Sequence, residues 1–290
     1  MRAIRVHSYG EPDSLRLETV APPAPKPHEI LVRVNFASVN PVDWKVCDGL
    51  LRERLIMPLP FIPGGDFAGV VAQVGRAVTK FRPGDRVFGM TSTPGYRAGS
   101  FAEYVAVTAA DVALAPTTLS MAEAASVPLA ALTAWQAVFD RAALRAGQRI
   151  LIHAGAGGVG GFAVQFARNA GAHVIATASA ANADYVRDLG AAEIIDYRAG
   201  AFEDGLRDVD VVIDLIGGET QARSYAVLRR GGVLVNAWGS VMQELADSAG
   251  VRGVKVAVAA NGGQLAEIRQ LIDAGAVRTT IAKILPLAEI

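Results

Sequence analysis

Arg149-Ile150-Leu151-Ile152-His153-Ala154-Gly155-Ala156-Gly157-Gly158-Val159-Gly160 decides the fold of this 290-residue chain. Arg149–Ala154 reads as a short buried strand, and the residues from Val159 to Ala170 read as a helix. Between them Gly155, Ala156, Gly157, Gly158, Val159 and Gly160 fit the pattern G-x-G-x-x-G. The pattern alone is weak: with 30 glycines in the chain, chance supplies about 0.3 matches. Its position, after a strand and opening a helix, carries the argument. Glycine permits a tight turn and a close backbone approach to a pyrophosphate, and the N–H groups at the helix start face the anion. The stretch predicts a dinucleotide site; a plain flexible glycine turn is the alternative.

Downstream, strand and helix patterns alternate. HVIATA (173–178), EIID (193–196), DVDVVIDLI (208–216), GGVLVNAW (231–238) and VKVAVAA (254–260) read as strands. ADYVRDLG (183–190) and TQARSYAVL (220–228) read as helices between them, and MAEAASVPLAALTAWQAVFD (121–140) as one helix before them. Val/Ile-rich strands without alternation predict a parallel sheet covered on both faces, doubly wound.

Upstream, the pattern differs. MRAIRV (1–6), LRLETV (15–20), EILVRVNFASV (29–39), DFAGVVAQV (66–74), DRVFGM (85–90) and FAEYVAV (101–107) read as short strands. Most of the 14 prolines precede residue 120, which suits an irregular, barrel-like β domain. Pro22–Pro27 reads as a surface connector. The expected organisation is a β-rich domain over 1–122, a nucleotide-binding α/β domain over 123–259, and a terminal segment over 260–290.

Composition sets the limits. Apolar residues make up 51% and charged ones 19% of the chain, so disorder is excluded as its general state. The 28 basic and 28 acidic side chains cancel, which argues against a nucleic-acid partner. Cys47 is the single cysteine, so no internal disulfide or Cys-based zinc site is available, and a reducing cytoplasm is expected. The N-terminus lacks a signal-like apolar core. The charge-free runs 124–139 and 150–167 do not predict a membrane span, the first being short and the second dense in glycine.

Cofactor choice is read after HVIATA. A domain built for NAD usually carries Asp or Glu there for the ribose 2′-hydroxyl. Here Ala178-Ser179-Ala180-Ala181-Asn182 holds no carboxylate, and Asp184 should lie inside the next helix. NADP(H) is therefore favoured, a relaxed site for either cofactor being the alternative.

The motifs along the chain resemble one family. Gly147–His153 runs into the glycine turn and on through Gln165-Phe166-Ala167-Arg168. Tyr9-Gly10-Glu11-Pro12, Asn40-Pro41-Val42-Asp43-Trp44-Lys45, Pro63–Gly69, Pro83–Val87, Gly99–Tyr104 and Leu132-Thr133-Ala134-Trp135 follow in the same order as in that family. The chain resembles the zinc-independent quinone oxidoreductases, the zeta-crystallin-like branch of the medium-chain dehydrogenase/reductase superfamily. The resemblance covers nearly the whole chain. It implies a GroES-like β domain, a Rossmann domain, and a terminal segment returning to the first. It also implies that relatives continue past Pro286–Ile290 with a helix and a strand, so the third segment looks shortened.

Zinc alcohol dehydrogenases of the superfamily carry a cysteine near Asn40 and a His-Glu pair near Gly65-Asp66, both missing here. His7, His28, His153 and His173 do not cluster, so no metal is expected. His153 reads as a packed structural histidine. Without a Lewis acid for alcohol oxidation, an acceptor that takes hydride directly is favoured, such as a quinone or an activated alkene. The resemblance places Asn40 and Asp43 in the substrate cleft, Asp43 with a structural role as the alternative. Lys45 is the candidate proton donor, because family members often carry a tyrosine there; a solvated surface lysine is the alternative. The resemblance further implies Thr133 at the nicotinamide end, and Tyr197 and Ser179 beside the adenosine 2′-phosphate. Gly217, Gly218, Trp238 and Gly239 should line the cofactor site at strand C-termini. Many relatives have Lys or Arg where this chain has Ala181.

Three functions compete: an NADPH-dependent quinone or alkenal reductase, an enoyl-thioester reductase, and a non-enzymatic cofactor-binding protein. Arg52 and Arg54 would permit a carrier phosphate, and Pro94–Ser100 does not decide the matter. Val254–Ala259 reads as an apolar edge strand, which with the resemblance predicts a homodimer. The expected partner is otherwise a small-molecule electrophile.

Overall fold

The computed structural model describes residues 1–53, 55, 57–91 and 99–290. Arg54 and Pro94–Ala98, which bear on the thioester reading, lie outside the described residues. The chain divides into two compact units, Met1–Leu132 together with Ala259–Ile290, and Thr133–Val258.

The first unit opens with an antiparallel pair, β1 (Arg2–Val6) and β2 (Leu15–Thr19). Then come β3 (Glu29–Phe36), helix α1 (Pro41–Asp48), β4 (Asp66–Val74), β5 (Arg86–Met90), β6 (Tyr104–Thr108) and β7 (Val112–Leu114). β3 to β7 form a curled antiparallel sheet in the order β6-β3-β4-β5-β7, the GroES-like half-barrel expected from the motifs. Alternate residues, such as Ile30 and Val32 or Val105 and Val107, face one core with Phe67, Val71 and Val87, as the period of a strand requires.

Helix α1 was not among the sequence-predicted elements. Its start nevertheless follows a local rule. Asn40 stands at the N-cap, Pro41 occupies the first turn where its missing N–H costs nothing, and Gly49 closes the helix at φ 85°.

The single helix expected over 121–140 is instead α2 (Met121–Ala125) and α3 (Pro128–Trp135), continued by a π-helical turn over Gln136–Arg141. Pro128 explains the break: it has no N–H to donate, and it pushes Val127 out of the helical region. Ser120 and Glu123 cap α2 reciprocally, the Ser120 amide donating to Glu123 Oε2 at 2.8 Å.

The second unit continues through β8 (Arg149–Ile152), α4 (Gly158–Asn169), β9 (His173–Ala178), α5 (Ala183–Leu189), β10 (Glu193–Asp196) and β11 (Val209–Asp214). It closes with α6 (Glu219–Ser224), β12 (Leu228–Asn236), α7 (Gln243–Ala249) and β13 (Arg252–Lys255). The six strands form one parallel sheet in the order β10-β9-β8-β11-β12-β13. This is the Rossmann order, reversing between β8 and β11. Ile150, Leu151, Ile152, Ile175, Ile213 and Leu234 are fully buried, so the central strands read as continuous apolar runs.

The edge strand corrects the expectation of Val254–Ala259. β13 covers only Arg252–Lys255: its partner β12 ends at Asn236, opposite Lys255, and the last bond of the pairing runs from the Val256 amide to Asn236 O at 2.9 Å.

From Ala259 the chain belongs to the first unit. Helix α8 (Gly262–Asp273) packs on β7 so closely that a Cβ at Gly262 would lie 2.4 Å from Val112 O. Asp273 Oδ1 accepts hydrogen bonds from the amides of Thr117 and Thr118 at 2.7 and 3.1 Å.

Candidate functional site

The glycine turn is built around Ala154. This residue holds φ 53°, unusual for a side chain with a Cβ. Its amide donates to Thr177 Oγ1 at 3.1 Å, and its carbonyl accepts from the Gly157 amide at 2.9 Å. At Gly160 a Cβ would stand 2.1 Å from Ala154 O, so only glycine lets α4 begin this close to the turn. At Gly157 the nearest such atom is 3.3 Å away. Gly157 caps α4, and Gly158, Val159 and Gly160 form its first turn.

The turn opens on a cavity of about 500 Å³ at the C-terminal ends of β8, β9, β10 and β11. Ala156, Gly157, Ala178, Ser179 and Tyr197, all named from the sequence, line it. Phe202, Ile216 and Arg223 also line it and were missed: Phe202 and Ile216 lie in loops that carry no periodicity, and Arg223 sits on α6, whose sequence gives no sign that one of its faces meets the cavity. Gly155, Gly158, Val159 and Gly160 support the turn without lining the cavity.

His153 forms part of the floor and is almost fully buried. Its hydrogen bonds fix one tautomer. Ser224 Oγ donates to Thr220 O at 2.6 Å, so at 3.0 Å it accepts from His153 Nε2–H. Nδ1 is then the acceptor for the Thr177 hydroxyl at 3.3 Å, and Thr177 Oγ1 in turn accepts the Ala154 amide. Burial pushes the imidazole down to about 4, opposed by the nearby Asp214 carboxylate. A neutral histidine therefore holds β8, β9 and α6 together beneath the turn.

Beyond β11 and β12 lie Gly217, Trp238 and Gly239. Asp214, fully buried, accepts from the Ile216 and Gly217 amides at 3.0 and 2.9 Å and from Asn236 Nδ2 at 2.9 Å. Gln221 accepts the Met242 amide at 2.7 Å and donates to Ser240 O at 3.2 Å. These buried polar groups hold the two loops that carry the predicted glycines and tryptophan. Thr133 is buried within α3.

In the first unit Asn40 joins two carboxylates. Its amide donates to Asp43 Oδ2 at 2.7 Å, and its Nδ2 donates to Asp66 Oδ2 at 3.0 Å. Asp66 also accepts from Ser38 Oγ at 2.9 Å and from the Leu129 amide at 2.9 Å. Asp43 Oδ1 is buried with no partner at hydrogen-bond geometry. Burial raises Asp43 to about 7 against the pull of the Asn40 and Gly65 amides. Burial likewise raises Asp66 to about 7, against its hydrogen bonds from Asn40 and Ser38. Two such carboxylates this close favour retention of a proton.

Lys45 is not on their face of α1: two residues from Asp43, it points elsewhere around the helix. It is half-buried, its Nζ 5.4 Å from the centre of the Trp44 ring, and partial burial lowers its ammonium pKa. Burial, with the Asp43 charge adding to it, raises the Cys47 thiol to about 12, so it is no nucleophile.

Among the described residues no three His, Cys, Asp or Glu side chains come together to hold a metal. The donor set does not fit a zinc ion, since Asn40, Gly65 and Asp66 stand where zinc enzymes need thiolate and imidazole. A nicotinamide dinucleotide fits better. The Gly157–Gly160 cradle has no side chains beyond Val159 to obstruct a pyrophosphate, and the adjoining cavity follows β9, the strand that in Rossmann domains generally ends beside the adenosine ribose. No helix among the described residues is long and apolar enough to cross a membrane.

Comparison with known proteins agrees. A model of the alcohol dehydrogenase GroES-like domain matches residues 26–117, and one of zinc-binding dehydrogenases matches residues 189–290. The quinone-oxidoreductase homolog of the Spinacia oleracea chloroplast is 38% identical over 258 residues, 78% of this chain and 78% of that protein. The 2-methylene-furan-3-one reductase of Solanum lycopersicum is 36% identical over 289 residues, 97% of this chain and 71% of that protein. Among solved structures, the quinone oxidoreductase of Coxiella burnetii superposes with a TM-score of 0.90 at 33% identity, covering 100% of this chain and 92% of that one. The Escherichia coli quinone oxidoreductase complexed with NADPH gives 0.86 at 27% identity, covering 97% and 91%. With its GroES-like sheet, its Rossmann sheet and no zinc donor set among the described residues, the chain is an oxidoreductase of the zinc-independent quinone oxidoreductase family, within the medium-chain dehydrogenase/reductase superfamily.

Proposed function

We propose that the protein reduces quinones or activated alkenes with NADPH. The observation that carries this is the cavity beyond the glycine turn, which meets Ser179 and Tyr197 but no carboxylate over Ala178–Asn182. Bound NADPH supplies a hydride; the remaining requirements fall on the chain. The Gly157–Gly160 turn holds the pyrophosphate through backbone N–H groups. The Asp214 and Gln221 lattice keeps the loops carrying Gly217, Trp238 and Gly239 in place for the cofactor. Thr133, as the resemblance implies, would meet the nicotinamide end.

Lys45 holds the proton needed by the acceptor oxygen, at Nζ, and its lowered pKa brings that proton nearer to release at neutral pH. Asn40 and Asp43 shape the substrate side, Asp43 by fixing the start of the helix that carries Lys45. A quinone or enone suits this equipment, because the charge arriving with hydride spreads onto a conjugated oxygen that needs only one donor.

The test is NADPH oxidation by the wild type and by Lys45→Ala against a panel of quinones, enals and enoyl thioesters. We expect turnover with quinones or enals, and a kcat lowered by about ten- to a thousandfold in Lys45→Ala with NADPH affinity retained. Turnover confined to enoyl thioesters overturns the substrate class. An unchanged kcat removes Lys45 as donor.

A further inference from the structure

The loop after β9 carries no cation: Ser179, Ala180, Ala181 and Asn182 are all neutral. A 2′-phosphate bound at the end of this strand still needs a positive partner. Two arginines near the loop are occupied. Arg223 lines the cavity, but it forms a two-pronged pair with Glu203, Nε to Oε1 at 2.7 Å and Nη2 to Oε2 at 2.6 Å. Arg187, on α5, pairs with Asp184.

A third arginine stands next to the residues that line the cavity. Tyr197 and Gly200 line the cavity together with Ser179 and Asn182, and Arg198, in the stretch between Tyr197 and Gly200, adjoins that lining. The Arg198 guanidinium packs over the Tyr197 ring at 5.6 Å from its centre. It takes part in none of the ion pairs of the described residues. Its backbone is tied down, because Asp196 Oδ1 accepts the Arg198 amide at 2.9 Å. Asp196 Oδ2 accepts the Ala180 amide at 3.2 Å, so one carboxylate holds the two walls together.

We propose that Arg198 is the residue that selects NADPH, its guanidinium binding the adenosine 2′-phosphate in place of the cation that position 181 lacks. The proposal rests on the NADPH reading above and names the group that enforces it. Held about the Tyr197 ring at 5.6 Å from its centre, the guanidinium is kept near the cavity lining while its N–H groups remain able to meet phosphate oxygens. It also offsets Asp196. Unopposed, that carboxylate beside the β9 loop would repel the phosphate dianion and turn the site towards NADH.

The test compares dissociation constants of NADPH and NADH, by fluorescence titration at one ionic strength, for the wild type, Arg198→Ala and Arg198→Lys. Arg198 is exposed, so both variants should fold. In Arg198→Ala the NADPH constant should rise about 10- to 100-fold while that for NADH stays within about twofold. Arg198→Lys should recover much of the loss, since a point charge suffices for attraction though not for two-pronged contact. A wild type that prefers NADPH, with an Arg198→Ala variant that binds it unchanged, overturns the proposal and leaves the NADPH reading standing. Equal loss of both cofactors also overturns it, for the residue would then only support the wall. A wild type that binds the two cofactors equally brings down the NADPH reading and this proposal together.

Discussion

Gly157 and Gly160 belong to one sequence pattern yet answer to different neighbours. At Gly160 the obstacle to a side chain is the protein's own backbone, Ala154 O, 2.1 Å from where a Cβ would sit. At Gly157 the nearest atom, Ala154 O at 3.3 Å, needs to give by only a few tenths of an ångström, and the backbone lies in an ordinary extended conformation, φ −78°. Glycine is needed there only for what approaches from outside. Gly160→Ala should therefore destabilise the chain by about 2 kcal/mol or more, because the turn must shift to relieve a backbone clash. Gly157→Ala should melt within about 0.5 kcal/mol of the wild type, yet bind NADPH at least about tenfold more weakly. Thermal melts and cofactor titration on both variants check this; a Gly157→Ala protein that binds normally would sink the cradle argument. The pattern was legible in the sequence, but this division of labour was not, since it depends on which atoms lie across the turn.

Elements show where local rules sufficed and where they did not. The cap of α1 (Asn40, Pro41, Asp43) and the break at Pro128 both follow from residues within one or two turns, and both could have been read from the sequence. The extent of β13 could not, because β12 decides it from 16 or more residues away. β13 bears on assembly. It is an edge strand of four residues, flanked by Arg252 and Lys255, with Arg252 Nη2 donating to Arg141 O at 2.8 Å. Its outer side still presents unpaired backbone groups, and Val254 is only partly buried. We expect a homodimer that pairs this edge with a second copy. Light scattering at micromolar concentration should give twice the chain mass. The Val256 amide bonds Asn236 O on the β12 side at 2.9 Å, so the neighbouring Lys255 amide faces outward, and Lys255→Pro, which removes that donor from the free edge, should yield monomers that keep cofactor affinity. A wild-type monomer, or an intact dimer of Lys255→Pro, would count against edge pairing.

At the scale of the whole molecule, three buried groups set how stability depends on pH, with opposed signs. His153 sits below its ordinary value, at about 4. Its contribution is present above the unfolded value of about 6.5 and is lost as pH falls towards 4. Asp43 and Asp66 sit above theirs, at about 7. Their contribution is full below about pH 4 and is lost as pH rises through 7. Across that window two carboxylates outweigh one imidazole, so these groups together lower stability as pH rises. Asparagine at position 43 mimics the protonated acid and keeps an acceptor for the Asn40 amide. Asp43→Asn should be close to wild type at pH 5 and more stable by about 1–3 kcal/mol at pH 8, measured by urea unfolding. A difference that stays constant between the two pH values would defeat the assignment.

The sequence by itself determined the two-part architecture, the glycine turn and the place where we propose that a dinucleotide is received. Each rests on residues close together in the chain: an apolar run, a turn of glycines, a helix start. It also supplied Ser179 and Tyr197, through resemblance, at the cavity they now line. Tertiary structure alone decided the rest. It joined Asn40 to Asp66, brought the Leu129 amide to the same carboxylate, and set neutral His153 between Thr177 and Ser224. It also brought Asp196 against the loop after β9, with Arg198 beside it. None of these is a property of local spacing. Each arises because strands distant in sequence end at the same edge of a sheet, where burial strips water from polar groups and leaves them only one another as partners.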